Sequence, residues 1–212
     1  MALYIAFEGG EGSGTSTQVR LLSKRLIDLD GIAPVVTHEP GATPLGGRLR
    51  ELLLGVDQAP VGPRAETLLM AADRAQHMVE VVEPALRDGR HVISDRTVYS
   101  SLAYQGGGRG LGVAEVRSVN DWALEGLWPD LVLFLDCPPE AAAGRLSRAL
   151  DRLESEDEDF HRRIHATFHE LAEAEPDRWE VIDASATIDE VAINVWAAVE
   201  RRLVAQQRSV EL

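Results

Sequence analysis

The sequence is poor in several features that define large classes of protein. Among its 212 residues it has one cysteine, Cys137, which excludes an internal disulfide framework and a cysteine-rich zinc site. It has no apolar run of the roughly 18 residues that a membrane span needs, so we expect no membrane partner. Its first residues lack the basic and apolar regions of a signal peptide, and we therefore expect a cytoplasmic protein.

Basic residues are also scarce. The 21 lysines and arginines stand against 35 aspartates and glutamates, which gives a formal net charge of −14. A chain this acidic would repel the phosphates of a nucleic acid duplex, so we expect no nucleic acid partner. Any phosphate that it binds must be held locally, by backbone N–H groups or by a few arginines. Lysine is the scarcer cation, because Lys24 is the only one in the sequence.

Short apolar runs alternate with longer amphipathic segments along the whole chain. The runs show little polar alternation, which is typical of strands buried on both faces of a parallel sheet, and they cover residues 3–7, 34–37, 91–94, 131–135 and 179–182. Helical periodicity lies between them, over residues 17–29, 63–87, 113–127, 139–150, 157–175 and 188–204. This alternation predicts a single α/β domain with a mostly parallel sheet over residues 1–212.

A glycine-rich segment, residues 7–18, follows the first predicted strand and opens the first predicted helix. It reads FEGGEGSGTSTQ and carries Gly9, Gly10, Gly12 and Gly14. Glycines allow positive φ and close approach to a ligand, and the free N–H groups of a helix start attract anions. The spacing of Gly9, Gly14 and Ser16 fits the phosphate-binding pattern G-x4-G-K-[ST], except that Thr15 occupies the lysine position. The alternative is a tight turn without a ligand, in which Ser16 only caps the helix.

Polar residues follow two further predicted strands. Asp95 and Arg96 come after the third, where a carboxylate could hold Mg²⁺ and a guanidinium could bridge phosphoryl groups. The sequence THEPG, which includes Glu39 and Pro40, follows the second. Open α/β sheets bind ligands at the carboxyl ends of their strands, so we expect these residues to share one cleft. A surface ion pair and a plain Pro-Gly turn are the alternatives.

Taken together, these segments resemble the thymidylate kinase family, the P-loop kinases that phosphorylate dTMP. The resemblance rests on FEGGEGSGTSTQ and on THEPGATPLG (37–46), LLMAADRAQH (68–77), SDRTVYSSLAYQGGGRG (94–110), PDLVLFLD (129–136) and LDRLESEDEDFHRR (150–163). It implies a P-loop nucleoside monophosphate kinase fold, in which helices flank a five-stranded parallel sheet and a mobile lid closes over it. The arginines of residues 145–152 are similar to the lid of bacterial members, which predicts a lid over about residues 145–163.

The resemblance also implies which residues bind the substrates. The donor ATP would lie on Gly9, Gly10, Glu11, Gly12, Ser13, Gly14, Thr15, Ser16 and Thr17. Mg²⁺ would lie near Ser16 and Asp95. The acceptor dTMP would contact Glu11, Glu39, Pro40, Met70, Arg74, Arg96, Ser101, Tyr104 and Gln105. The catalytic residues would be Glu11, Asp95, Arg96 and the lid arginines Arg148 and Arg152.

Several of these residues have a more specific implied role. Glu11 would lie near the 3′-hydroxyl of the deoxyribose, and Tyr104 would lie under the sugar, where it disfavours a 2′-hydroxyl. Arg74 and Arg96 would hold the acceptor phosphate. The residues near the edge of the thymine would be Ser101 and Gln105.

Three positions depart from the family pattern. Thr15 replaces the P-loop lysine, Met70 stands where most members have a phenylalanine that stacks on thymine, and His38 stands where bacterial members often have an arginine. Loss of one charge-assisted contact costs about 1.5–3 kcal/mol, which is roughly 10–100-fold in rate. We predict that a lid arginine, Arg148 or Arg152, supplies the missing cation.

The expected activity is transfer of the γ-phosphate of ATP to dTMP, giving dTDP and ADP for dTTP synthesis. Two alternatives stay open at this point. Met70 favours a different nucleoside monophosphate kinase, and Thr15 favours a nucleotide-binding protein whose catalysis is weakened or lost. Because family members are typically homodimers, we expect a homodimer here as well.

Overall fold

A five-stranded parallel sheet forms the centre of the molecule. The computed structural model describes residues 2–56, 59–138, 141, 145 and 151–210, and the strand order is β2-β3-β1-β4-β5. The strands are β1 (Tyr4–Glu8), β2 (Val35–His38), β3 (Val92–Asp95), β4 (Leu131–Asp136) and β5 (Trp179–Asp183). All of β1 and all but the last residue of β4 are buried, which explains the unbroken apolar runs in the sequence. The predicted fold class is confirmed.

Helices cover both faces of this sheet. They are α1 (Thr15–Asp30), α2 (Pro44–Leu54), α3 (Pro63–His77), α4 (Glu83–Arg87), α5 (Val98–Ser101), α6 (Val113–Leu124), α7 (Glu158–Ala174) and α8 (Ile188–Val210). On one face, Leu22 and Leu26 of α1 pack with Val195 of α8 against the sheet. On the other face, Phe168 of α7 and Leu102 belong to a second apolar core. Each face of the sheet therefore has its own core, as in other α/β domains.

The helix predicted over residues 63–87 is a continuous helical stretch with an irregular centre. Residues Met78–Val82 are π-helical between α3 and α4, and Pro84 lies in the first turn of α4. A proline lacks the N–H of a regular helical hydrogen bond, and its ring crowds the preceding turn. The irregular turn therefore lies directly before the proline.

The apolar periodicity does not predict α2, because two glycines interrupt its sequence PLGGRLRELLL. The helix is defined by its first residues instead. Thr43 caps it by accepting a hydrogen bond from the Gly46 N–H at 2.9 Å, and Pro44 occupies the first turn, where its fixed φ suits a helix. Local capping chemistry therefore explains this helix better than its apolar pattern.

A second unpredicted helical stretch contains three consecutive glycines. Residues Leu102–Gly108 are π-helical and continue α5 without a break. A Cβ on Gly107 would overlap the hydroxyl of Thr167, and one on Gly108 would lie 2.7 Å from the ring of Phe160. The glycines are needed because the backbone packs directly against α7.

The predicted lid falls partly outside the described residues. Of residues 145–163 the structure describes Arg145 and residues 151–163, so Arg148 and most of the helix predicted over 139–150 lie outside the described ranges. Asp151 accepts hydrogen bonds from two following backbone N–H groups, each at 2.9 Å, and so orders the start of the second part. That the lid moves stays a prediction. In the ranges that the structure describes, no helix is both long and apolar enough to cross a membrane.

Candidate active site

A cleft of about 700 Å³ opens at the carboxyl ends of β1, β2 and β3. Adjacent parallel strands end at the same edge of a sheet, so the segments that follow them meet there. Its walls include many of the predicted site residues, namely Glu11, Thr15, Ser16, Glu39, Pro40, Met70, Arg74, Asp95, Arg96, Ser101, Tyr104 and Gln105. The expectation that these segments share one cleft is confirmed.

The glycine-rich segment forms a tight loop between β1 and α1. Gly12 and Gly14 have φ values of +77° and +94°, a backbone conformation that is strained for any residue with a side chain. Gly14 is the N-cap of α1 and, as a glycine, has no side chain that could accept from the N–H groups of the first turn. The Ser13 hydroxyl is buried without a hydrogen-bond partner among the described residues. These donors and the helix dipole suit an anion such as a phosphate chain.

Ser16 does not cap α1, so the alternative interpretation of this residue is wrong. Its hydroxyl donates instead to Oδ2 of Asp95 at 2.5 Å, which joins the start of α1 to the end of β3. Strand pairing brings the two segments together, because Phe7 of β1 lies opposite Asp95. A hydroxyl and a carboxylate side by side at the phosphate loop are oxygen ligands of the kind that Mg²⁺ prefers.

Arg96 extends from the end of β3 across the glycine-rich loop. Its Nη1 donates to the carbonyl of Gly9 at 2.9 Å and its Nη2 to Oε1 of Glu11 at 2.5 Å. Its φ of +69° lies in the left-handed region, which costs a non-glycine residue about 1–3 kcal/mol. Burial lowers the pKa of the Arg96 guanidinium, but Glu11 and other nearby acidic groups raise that pKa by more. The net shift is upward, so the side chain stays positively charged. The fold thus holds a charged side chain at the cleft on a strained backbone.

Glu11 lies at the centre of a small polar network. Tyr104 donates its hydroxyl to Oε1 of Glu11 at 2.8 Å, and the Arg96 guanidinium lies 5.2 Å from the centre of the Tyr104 ring. Burial raises the pKa of the Glu11 carboxyl, and a hydrogen bond with the Glu154 carboxyl raises it further against the opposing effect of Arg96. Glu154 lies within the predicted lid, so the described part of that segment contacts the glycine-rich loop directly.

Arg74 is almost completely buried, with 2% of its surface exposed. It donates to Oε2 of Glu39 at 2.9 Å, to the hydroxyl of Ser101 at 3.0 Å and to the carbonyl of Thr97 at 3.2 Å, and it also contacts Oδ1 of Asn120. A buried guanidinium needs such partners because an unpaired charge in this environment is very costly. Arg74 is therefore fixed in the wall of the cleft before any substrate binds.

Glu39 serves mainly as the counter-ion of this arginine. Burial raises the pKa of the Glu39 carboxyl, but Arg74 and His77 lower it more, so that it is ionised. Its Oε1 lies 2.8 Å from Nδ1 of His77, and its Oε2 contacts Arg74. With both oxygens engaged, a direct contact between Glu39 and dTMP stays a prediction.

The structure does not bring Arg152 to the glycine-rich loop. Its guanidinium donates to Oε2 of Glu66 at 2.8 Å and to the carbonyl of Leu53 at 2.7 Å, and it does not line the cleft. Glu66 is fully buried and also contacts Arg109 and Gln105. The role of Arg152 over the donor phosphates stays a prediction and would require it to leave Glu66.

Residues that the sequence analysis missed complete the site. The Glu8 carboxyl accepts hydrogen bonds from the backbone and hydroxyl of Thr97 at 2.8 and 2.7 Å and from the hydroxyl of Ser100 at 2.5 Å. Burial raises the pKa of Glu8 to about 7. Arg50 lines the cleft and donates to the carbonyl of Pro40 at 2.8 Å. The sequence contains one signal for Glu8, which is a carboxylate at the end of an apolar strand. A carboxylate buried there requires hydrogen-bond partners.

His38 does not replace the cation that bacterial members often have there. Burial lowers the pKa of the His38 imidazole, and the charge of Arg50 lowers it further, so the ring is neutral at pH 7. Arg50 also lines the cleft, close enough for its charge to act on His38. It supplies a permanent positive charge beside the position that His38 leaves neutral.

Comparisons with known proteins agree with this geometry. The model of the thymidylate kinase family matches residues 7–195. The chain is 50% identical over 203 residues to the thymidylate kinase of Synechococcus sp. (strain JA-3-3Ab), which covers 96% of this chain and 98% of that protein. It is 49% identical over 201 residues to that of Bifidobacterium longum (strain DJO10A), with 93% and 95% covered.

A solved structure extends the likeness to the fold. The crystal structure of thymidylate kinase from Ehrlichia chaffeensis has a TM-score of 0.79 and 30% identity to this chain, with 94% of this chain and 98% of that chain covered. The family match spans both the glycine-rich loop and the residues Asp95 and Arg96 at the end of β3. The chain therefore belongs to the thymidylate kinase family.

Proposed function

We propose that the family reaction, transfer of the γ-phosphate of ATP to dTMP to give dTDP and ADP, takes place in the cleft described above. The observation that carries this proposal is a convergence at one sheet edge. An uncapped helix start, an adjacent hydroxyl and carboxylate, and two fixed arginines, Arg74 and Arg96, all border the same cavity. These are the parts that phosphoryl transfer needs, because it depends on positioning and charge neutralisation more than on covalent chemistry.

The donor would occupy the loop side of the cleft. The phosphates of ATP would accept hydrogen bonds from the backbone of residues 9–17 and from the buried Ser13 hydroxyl, which has no partner within the described ranges. Ser16 and Asp95 would hold Mg²⁺, which when bound neutralises charge on the β- and γ-phosphate oxygens. The observed contact between these two side chains at 2.5 Å supports that assignment.

The acceptor would occupy the opposite side. Arg96 is fixed by Gly9 and Glu11 and would orient the dTMP phosphate for in-line attack, with Arg74 behind it. The phosphate oxygens of dTMP are ionised at neutral pH, so the chain need not supply a general base. Tyr104 is held by Glu11 and would lie against the sugar. The fixed positions of these side chains reduce the entropy that the reaction would otherwise lose.

Thr15 removes a cation that family members place on the donor phosphates. We infer that the chain remains an active kinase, because the backbone N–H groups of the loop do not depend on the side chain at this position. A lid arginine, Arg148 or Arg152, would supply the missing charge during closure. Arg152 then exchanges its contact with Glu66 for one with the phosphates, which makes lid closure more important than in members that have the lysine.

Assembly and location form a further part of the proposal. Leu68, Val79 and Trp122 are 60%, 63% and 84% exposed. Leu68 and Trp122 lie on α3 and α6, which pack together, and large exposed apolar side chains mark association surfaces. We propose a homodimer through this surface and a cytoplasmic location, where ATP and dTMP are available.

A coupled assay of ADP release tests the reaction. With ATP, Mg²⁺ and each of dTMP, dUMP, dCMP and AMP, we expect dTMP to give the highest kcat/KM. Asp95→Asn is the matched control, because it keeps the shape of the side chain but removes its charge. Calorimetric binding of ATP and dTMP without formation of dTDP would contradict the proposal and favour a binding protein. Preference for another monophosphate would instead favour a different kinase.

A further inference from the structure

A second polar cluster lies at the same end of the sheet, at the carboxyl end of β4 and not in the cleft. Asp136 is the last residue of β4, and His165 and His169 lie one turn apart on α7. Nε2 of His165 is 2.7 Å from Oδ1 of Asp136, and Nε2 of His169 is 3.2 Å from Oδ2. One ligand atom from each residue lies within 4.8 Å of the other two. None of the three lines the cleft.

The spacing of the two histidines determines how they can act. Residues four apart on a helix project from the same face, so the two imidazoles can direct nitrogen atoms to one point. Metal–ligand distances near 2.1 Å place neighbouring ligand atoms about 3–3.5 Å apart. The two contacts to Asp136 are close to that separation already. An ion could therefore enter with small movements of side chains and none of the backbone.

The surroundings hold these side chains in place while leaving access for an ion. The centre of the Phe134 ring lies 5.2 Å from the centre of the His169 ring, and the centres of the two imidazole rings lie 4.8 Å apart. The side chains of His165 and Asp136 are each 26% exposed and that of His169 is 38% exposed. Packed ligands lose little freedom on binding, and the open side leaves room for water as further ligands.

We propose that Asp136, His165 and His169 bind a divalent transition-metal ion of the Zn²⁺ type. Two imidazoles and one carboxylate form a ligand set that suits zinc, cobalt, nickel or copper. Magnesium prefers oxygen ligands and an almost regular octahedron, so it would not occupy this site. The ion would join the end of β4 to α7, whose first residues form the end of the predicted lid. It would therefore hold the C-terminal end of that segment against the sheet.

The test uses the full chain without an affinity tag, because a histidine tag would bind the same ions. Co²⁺ is titrated by calorimetry and by visible absorption, and thermal unfolding is recorded with and without Zn²⁺. We expect one bound ion per chain and a rise in Tm of about 5–10 °C at a hundredfold excess over the Kd. His165→Ala and His169→Ala should each weaken binding at least about tenfold, because loss of even an outer partner has that effect.

A control on the same helix separates this site from general binding to histidines. His161→Ala lies outside the cluster and should bind Co²⁺ with the affinity of the parent protein. His169→Gln serves as a second variant if His169→Ala fails to fold, since it keeps the length and polarity of the side chain. Ten millimolar Mg²⁺ should leave the Co²⁺ spectrum unchanged.

Three results would overturn the proposal. Equal Co²⁺ affinity in the parent protein and the His165→Ala/His169→Ala double variant would exclude these ligands. Displacement of Co²⁺ by Mg²⁺ would place the ion at Ser16 and Asp95 instead. Absence of both a Co²⁺ spectrum and a Tm shift would show that the three side chains only form hydrogen bonds with one another. None of these results would alter the assignment of the kinase reaction.

Discussion

Arg96 and Glu11 form an ion pair across the glycine-rich loop, with Nη2 and Oε1 2.5 Å apart. The same guanidinium donates to the carbonyl of Gly9, and Tyr104 donates to the same carboxylate oxygen. The arginine assigned to the acceptor phosphate is therefore positioned by the loop assigned to the donor. Because the donor and acceptor sites share these contacts, a substitution in the donor loop should alter the binding of the acceptor.

Glu11→Gln should lower kcat/KM for dTMP by about 10–100-fold. The substitution keeps the size of the side chain but removes the charge that holds Arg96, and a charge-assisted hydrogen bond contributes about 1.5–3 kcal/mol. Steady-state rates at varied dTMP measure the effect. Tyr104→Phe is the control, because it removes a neutral donor to the same oxygen and should cost less. Equal losses for the two variants would contradict this account.

Thr15→Lys should raise kcat by about 10–100-fold, because it restores a cation beside the donor phosphates. Thr15→Gln provides a side chain of similar length without charge and should not raise it. Rates at saturating ATP and dTMP measure the effect. An unchanged kcat for Thr15→Lys would show that the chain already compensates fully or does not use a cation there.

Arg152→Ala distinguishes those two explanations. If Arg152 supplies the missing charge, this variant should lower kcat more than Arg109→Ala does. The comparison is matched because both arginines contact the same carboxylate, Glu66, so both variants lose a comparable structural contact. Urea unfolding of each variant measures that shared cost. Equal kcat values for the two variants would exclude Arg152 as the substitute cation.

The free energy of unfolding should depend on the protonation of Glu8. Its pKa is about 7 in the folded protein and 4.5 in the unfolded chain, so between these values only the folded state holds the proton. Raising the pH through this range therefore destabilises the folded state, and the loss is nearly complete about one pH unit above the folded pKa. From pH 5.5 to 8 this contribution falls by about 2 kcal/mol.

Glu8→Gln removes this titration while keeping an acceptor for Thr97. Urea unfolding of both proteins at pH 5.5 and pH 8 isolates the effect, since other groups contribute equally to both. The parent protein should lose about 2 kcal/mol more than the variant between the two pH values. The same loss in both proteins would show that the Glu8 carboxyl ionises normally despite its burial.

Met70→Phe should lower KM for dTMP by about 2–10-fold with little change in kcat. Met70 lines the cleft and is 7% exposed, and an aromatic ring there could stack on the base, which adds about 0.5–1.5 kcal/mol. Met70→Leu is the control for packing alone. A rise in KM for Met70→Phe, with normal values for Met70→Leu, would show that the position cannot hold a ring.

Trp122→Glu should convert a dimer to a monomer in sedimentation experiments. The substitution places a charge on the proposed association surface, where it would be buried without a partner. Ile193→Glu is the control, because Ile193 is similarly exposed, at 67%, but lies on α8 on the other side of the sheet. A parent protein that sediments as a monomer would contradict the proposed assembly.

Local properties of the sequence determined the five strands, several of the helices and the place of the site. The apolar run of β1 and the glycines that follow it can be recognised from the local sequence alone. Parallel strands end together, so Ser16 and Asp95 could be expected to meet, and they are in contact. The family resemblance then identified Arg74 as a residue of the same cleft, which it lines.

Tertiary contacts decided how those residues are held. Arg74 and Asn120 lie on different helices, Arg152 contacts Glu66 and not the glycine-rich loop, and Glu8 has a raised pKa. Burial and the charges of distant neighbours produce these effects, and neither quantity is present in a local stretch of sequence. The pairing of Asp136 with two histidines of α7 depends in the same way on which helix covers the end of β4. The sequence by itself therefore determined the fold and the position of the cleft, whereas only the packing of the elements decided the charge state and the partner of each side chain.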